Sequence, residues 1–136
     1  MSPSLRARLR EGETLLGGFV TWAEGGLVEL LAHAGFDLAV LDCEHGLSGA
    51  AAVENLVRAG DAAGIAAIVR APSPGSDLVG RFLDAGAEGI LFPRVRSAED
   101  AARAAESARY APLGTRGLGA ARANRYATRP LGDFVK

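Results

Sequence analysis

Four short apolar runs recur at roughly 25-residue intervals, each separated from the next by a segment carrying helix start and stop signals. They are Leu15-Leu-Gly-Gly-Phe-Val20, Asp37-Leu-Ala-Val-Leu41, Ile65-Ala-Ala-Ile-Val69 and Gly89-Ile-Leu-Phe92. A strand–helix alternation restricts the chain to a parallel sheet, because parallel neighbours need a crossover and the intervening helix supplies it. The runs are apolar throughout rather than alternating, the pattern of a sheet covered on both faces. Two α/β architectures satisfy this: a doubly wound sheet, or part of a (β/α)8 TIM barrel. A barrel takes about 250 residues, so 136 residues would supply about the first four βα units.

The segments between the runs read as helices. Leu5 to Glu11 is short and amphipathic and is closed by Gly12. From Gly25 to Ala34, Leu27, Leu30, Leu31 and Ala34 recur at the spacing of one helical face, and Gly35 stops the helix. A longer helix is expected from about Ser48, its N-cap, to Ala63, with Gly64 as the stop. Asp77 to Asp84 is a further helix ended by Gly86, Ser97 caps one that runs to about Ser107, and Pro130 opens a final short one. Gly114-Thr-Arg-Gly-Leu-Gly119 follows a helix rather than a strand, which makes it a mobile surface loop first and a substrate-facing lid second.

Several classes of function are disfavoured. No apolar run approaches the ~20 residues that span a bilayer, and the N-terminus lacks the apolar core of a signal peptide. The single cysteine, Cys43, rules out an internal disulfide and agrees with a reducing cytoplasm. Its acidic neighbours oppose a thiolate, so it reads as a small buried filler. Net charge is −1 but unevenly spread: 6 arginines face 12 acidic residues over residues 1–93, whereas 9 basic residues face 4 acidic ones over 94–136. The basic segment has no interleaved aromatic stacking set, so an oligomer contact or an anionic small substrate explains it better than nucleic acid. The only lysine is Lys136, which leaves no Schiff-base lysine on an inner strand. Neither a Gly-x-Gly-x-x-Gly after the first strand nor a Walker A sequence is present.

Chemistry concentrates where the second strand stops, at Asp42-Cys-Glu44-His45. Parallel α/β sheets place reactive groups at the carboxyl ends of strands, where the loops converge. A histidine there beside two carboxylates is a candidate general base; a solvated loop is the alternative. Arg70 ends the third strand and should emerge at the same end, either toward an anionic ligand or in a salt bridge to Asp42 or Glu44. Trp22 follows the first strand and either walls a pocket or packs. His33, beside Ala32 and Ala34 on the Gly25 to Ala34 helix, reads as a partly buried or surface residue rather than a ligand. Asp84, close to a helix C-terminus, is unfavourable to the helix dipole and calls for a compensating partner or solvent.

With these residues placed, the sequence resembles the HpcH/HpaI aldolase family of metal-dependent pyruvate aldolases. The matching segments are Glu29-Leu-Leu-Ala-His-Ala-Gly-Phe-Asp37, Leu41-Asp-Cys-Glu-His45, Val69-Arg-Ala-Pro72, Leu83-Asp-Ala-Gly86, Ile90-Leu-Phe-Pro93 and Ala108-Arg-Tyr-Ala-Pro-Leu-Gly-Thr-Arg-Gly117. The resemblance implies a (β/α)8 barrel, usually hexameric, of which residues 1–136 form the N-terminal half. It implies retro-aldol cleavage of a 4-hydroxy-2-oxo acid, such as 4-hydroxy-2-oxoheptanedioate or a 2-keto-3-deoxy sugar acid, to pyruvate and an aldehyde. A divalent metal (Mg2+, Mn2+ or Co2+) would hold the pyruvyl unit. His45, oriented by Asp42, matches the acid/base histidine, and Arg70 the arginine that stabilises the enolate oxygen. Asp84 matches a position reaching a neighbouring subunit's site. Phe19, where some members carry Trp, would join Trp22 in substrate binding. The family's metal-binding Glu and Asp, on the fifth and sixth strands, would lie beyond Lys136. The expected alternatives are a catalytically inactive fragment or assembly module, and an acyl-CoA lyase similar to citrate lyase beta subunits.

Overall fold

The computed structural model describes residues 4–46, 49–128 and 130–134, so the expected Ser48 cap lies outside the described residues. Strands β1 (Gly17–Val20), β2 (Leu38–Asp42), β3 (Ala66–Arg70) and β4 (Gly89–Leu91) form one sheet in that order. All neighbours are parallel, with Val40 beside Phe19 and Ile68, and Asp42 beside Arg70. Helices α1 (Leu5–Arg10), α2 (Gly25–His33), α3 (Ala50–Ala63), α4 (Leu78–Asp84), α5 (Ala98–Ala108) and α6 (Leu131–Phe134) alternate with and follow the strands. Ser97 caps α5 by accepting the Asp100 N–H through its hydroxyl, as its position predicts.

Side-chain alternation along the strands divides the sheet into two unlike faces. Val20, Ala39, Leu41, Ala67 and Val69 point to one face and pack with Val28, Val53, Leu56, Val57 and Phe82 of the helices. The other face carries Phe19, Val40, Asp42, Ile68 and Arg70, and there Phe19 remains 56% exposed. The expectation of a sheet covered on both faces is therefore corrected. Apolar residues run through β2 although, among the described residues, the core cluster with the helices forms on its first face alone. Helix α1 closes the amino-terminal edge: the Leu5 N–H donates to Glu88 ahead of β4 at 2.5 Å, and Arg8 pairs with Asp37 ahead of β2 at 2.7 Å.

The buried stripe of α2 also differs from the expected one. Val28 is fully buried with Leu27, Leu31 and Ala32 packed around the core, while Leu30 points to solvent. Val28 wins because it faces Gly60 of α3, where a Cβ would stand 3.6 Å from its Cγ1. That Cβ would also lie 2.9 Å from the Ile65 carbonyl oxygen. Gly60→Ala thus sets a helix-propensity gain of up to about 1 kcal/mol against an overpacking loss of about 1–3 kcal/mol. The clashing atom is backbone held by the turn into β3, so the substitution is expected to lower the denaturation midpoint. A raised midpoint in urea would show that the turn yields.

The basic segment finds partners within the chain. Arg116 pairs with Asp84 at 2.6 Å, Arg122 with Asp61, and Arg94 with Glu44 at 3.1 Å. Three of its nine basic residues therefore answer acidic residues of the preceding segment. Gly114–Gly119 is likewise not a detached loop: the Thr115 N–H donates to Glu106 and the Arg116 N–H to Arg109, binding it back onto α5. A kinked 3-10 segment, Arg122–Ala127, interrupted where Arg125 and Tyr126 take left-handed backbone (φ +55° and +56°), was not expected from the sequence.

Candidate active site

Parallel pairing sets the site. Asp42 and Arg70 are register partners at the carboxyl ends of β2 and β3, so their side chains leave the sheet side by side on the face that carries Phe19, Val40 and Ile68. The guanidinium grips the carboxylate as a fork, with Nε 2.9 Å from Oδ1 and Nη2 2.6 Å from Oδ2. Its Nη1 lies 3.5 Å from Glu44 Oε2, and the Phe19 ring stacks under it with the guanidinium carbon 4.9 Å from the centroid. Of the alternatives raised for Arg70, the salt bridge to Asp42 and Glu44 is present.

Asp42, only 2% exposed, also accepts the backbone N–H groups of Glu44 (3.0 Å) and His45 (3.1 Å) at Oδ1. This turn wraps the loop around the strand end. The expectation that Asp42 orients the imidazole is corrected: it fixes the backbone of His45, and the register hands its second oxygen to Arg70. The carboxylate beside the ring is Glu44, whose Oε1 lies 3.8 Å from His45 Nε2. The imidazole is 72% exposed, Glu44 only 9%. Gly46 completes the turn, since a Cβ there would come within 2.2 Å of the Asp42 carbonyl oxygen. Sequence reasoning raised Glu44 as a carboxylate beside His45 and a partner for Arg70, but not Gly46 or Arg94; the Glu44-His-Gly46 run after a strand was the available signal for Gly46.

The remaining sites divide. Phe19 reaches the crevice through Arg70, while Trp22 is exposed on the loop after β1. His33 is exposed, and Cys43 is buried in the core cluster. Asp84 has the compensating partner its helix end called for, Arg116, which lies over the Tyr110 ring at 4.5 Å.

The Arg70 guanidinium bonded to Asp42 holds that carboxyl down to about 2 from the ordinary 3.8, overriding the opposing effect of burial; the two backbone N–H groups add to it. The folded value lies below the unfolded one, so this stabilisation is fully present above about pH 4 and fades as pH falls through about 2. The shift corresponds to about 2 kcal/mol. The stability gap between the wild type and Asp42→Asn should therefore narrow between pH 7 and pH 2.5 in urea titrations. A pH-independent gap would place Asp42's contribution elsewhere.

These carboxylates do not fit a divalent cation. Both Asp42 oxygens are taken by Arg70, and Glu44 is shared by Arg70 and Arg94. Among the described residues no group of three His, Cys, Asp or Glu side chains is placed to hold a metal. None of their helices is long and apolar enough to cross a membrane.

A parallel sheet of successive βα units, with ionisable side chains at the carboxyl ends of its strands, defines a (β/α)8-barrel site of which four units are seen here. The chain belongs to the HpcH/HpaI aldolase/citrate lyase family, whose model matches residues 15–129. It is 38% identical over 128 residues to a 4-hydroxy-2-oxovalerate aldolase of Novosphingobium aromaticivorans, covering 93% of this chain and 49% of that protein. It is 39% identical over 139 residues to a hydroxypyruvate/pyruvate aldolase of Paraburkholderia phytofirmans, covering 97% and 53%. The crystal structure of an HpcH/HpaI aldolase from Desulfitobacterium hafniense superposes with a TM-score of 0.87 at 31% identity, covering 98% of this chain and 52% of that one. The chain thus spans about half the length of the relatives it matches.

Proposed function

We propose that residues 1–136 supply the acid/base and guanidinium side of a pyruvate aldolase that cleaves a 4-hydroxy-2-oxo acid to pyruvate and an aldehyde. The observation that supports this most is the fixed Asp42–Arg70 fork beside an exposed His45, in a family whose similar members include named pyruvate aldolases. In the cleavage direction His45 takes the proton of the 4-hydroxyl as the carbon–carbon bond breaks, and negative charge moves onto the pyruvyl oxygen. Asp42 uses two of the five N–H donors of Arg70, which leaves donors on a group that cannot swing away. An imidazole, with an ordinary pKa of about 6.5, exchanges that proton near neutral pH. Phe19 holds the guanidinium from below and borders the place of the aldehyde.

Divalent-metal dependence belongs to the same proposal, with the ligands on strands other than β1–β4, because the carboxylates here are committed to arginines. The outer edges of β1 and β4 carry no partner strand among the described residues, which favours assembly with further strands. A homo-oligomeric, cytoplasmic enzyme is part of the same proposal. The decisive measurement is pyruvate release with Mn2+, by the 136-residue polypeptide alone and after addition of the other four βα units from one of the aldolases above. Release only in the complemented barrel is expected. Turnover with tight metal binding by the polypeptide alone would overturn the division of the site. Cleavage of an acyl-CoA substrate in place of the oxo acid would favour the citrate lyase reading that the family also contains.

A further inference from the structure

Arg94 is the least expected member of the crevice. It follows β4 with φ at +54°, a left-handed backbone that a side chain other than glycine rarely adopts and that needs surroundings to hold it. Two bonds do so: Nη2 donates to the Pro72 carbonyl oxygen beyond β3 at 2.8 Å, and Nε lies 3.1 Å from Glu44 Oε1. That same Oε1 is the atom facing His45 Nε2 at 3.8 Å. One carboxylate oxygen is therefore divided between a permanent cation and an imidazole. The loops after β2 and β4 meet at it, and Arg94 ties in the loop after β3 through Pro72.

We propose that Arg94 is a positioning residue that acts through Glu44, setting how strongly this carboxylate favours the protonated form of His45. The inference rests on the acid/base reading of His45 for its consequence in catalysis, but its geometry stands without it. The charged groups around the ring are Glu44 and Asp42 on its own loop, Arg70 at the end of β3 and Arg94 beyond β4; β1 brings the neutral Phe19 ring against Arg70. Asp42 is neutralised by the Arg70 fork, so Glu44 is the carboxylate left to respond. Its other oxygen has Arg70 Nη1 at 3.5 Å, a longer contact than the 3.1 Å to Arg94. Arg94 drains the charge on the oxygen that faces the imidazole, and thereby keeps His45 readier to be neutral and to accept a proton.

The sign of the effect separates this role from a structural one. Removal of Arg94 releases the Glu44 oxygen to the imidazole, so Arg94→Met should move the His45 ring titration to higher pH. Glu44→Gln should lower it, and in that background Arg94→Met should have little further effect. Arg94→Lys, which keeps the charge, should stay near the wild type. The chain has only two histidines, so the ring C–H resonances of His33 and His45 can be followed by NMR titration and assigned with His33→Gln. Arg94 is 56% exposed, but its bonds brace the turn after β4, so the denaturation midpoint of each variant is measured beside the titration to show that the fold is kept. A His45 midpoint unmoved in Arg94→Met, a shift in the same direction as Glu44→Gln, or a full Arg94→Met shift surviving in the Glu44→Gln background would each overturn the proposal. Where turnover is measured, the acid limb of the kcat profile should follow the NMR midpoint. Correct NMR shifts with an unmoved profile would retain the Arg94–Glu44–His45 linkage and remove His45 from the chemistry.

Discussion

Replacement of His45 by alanine in an assembled, pyruvate-releasing barrel should lower kcat by about 10²–10⁴-fold, the range for loss of a general acid/base. The fall should appear equally in kcat/KM, because an exposed imidazole that exchanges a proton contributes little to holding the ground state. Stability should hardly change. The loop is fastened by the His45 and Glu44 backbone N–H groups on Asp42 and by the close fit of Gly46 under the strand end, and none of these uses the ring. A variant with unaltered denaturation midpoint and nearly absent pyruvate release is the expected combination. Near-normal turnover would remove His45 from the mechanism, whereas a parallel loss of stability would mean that the ring serves the fold.

What the sequence revealed and what it hid follow from the range of the forces involved. Strand–helix alternation, the stops at Gly64 and Gly86 and the Ser97 cap are local, and each recurs in the structure. The emergence of His45 and Arg70 at one sheet end was also legible, because strand polarity alone dictates it. The partner of Asp42 was not, since the choice between Arg70 and the imidazole depends on the register that sets residue 42 beside residue 70. The buried face of α2 was misread for a similar reason. Leu30 fits the helical period as well as Val28 does, and the small surface of Gly60 on another helix decides between them. The 3-10 segment Arg-Ala-Asn-Arg-Tyr-Ala has no apolar period, and Asn124 holds it by accepting the Ala121 and Ala127 N–H groups. Arg94 carries no local signal, because its partners Glu44 and Pro72 stand on the loops after two other strands.

Arg70→Lys is expected to be nearly as damaging as loss of His45, lowering kcat by about 10²–10³-fold, the loss seen when one oxyanion donor is removed. An ammonium keeps the charge but not the plane. It cannot hold both Asp42 oxygens as parallel N–H bonds while offering further donors to a substrate oxygen, nor lie flat on the Phe19 ring. The second consequence is independent of turnover. Asp42 owes its low pKa first to the Arg70 hydrogen bonds, so in Arg70→Lys its carboxyl should rise back toward the ordinary 3.8. Acid unfolding should then begin at a higher pH, because a buried carboxylate less firmly held takes up its proton sooner. The two readouts separate the roles of one side chain. A variant that keeps kcat but unfolds earlier in acid would leave Arg70 as a structural clamp on Asp42. One that loses kcat with an unchanged acid midpoint would show that the guanidinium faces the substrate and that the Asp42 loop is held by its backbone bonds alone.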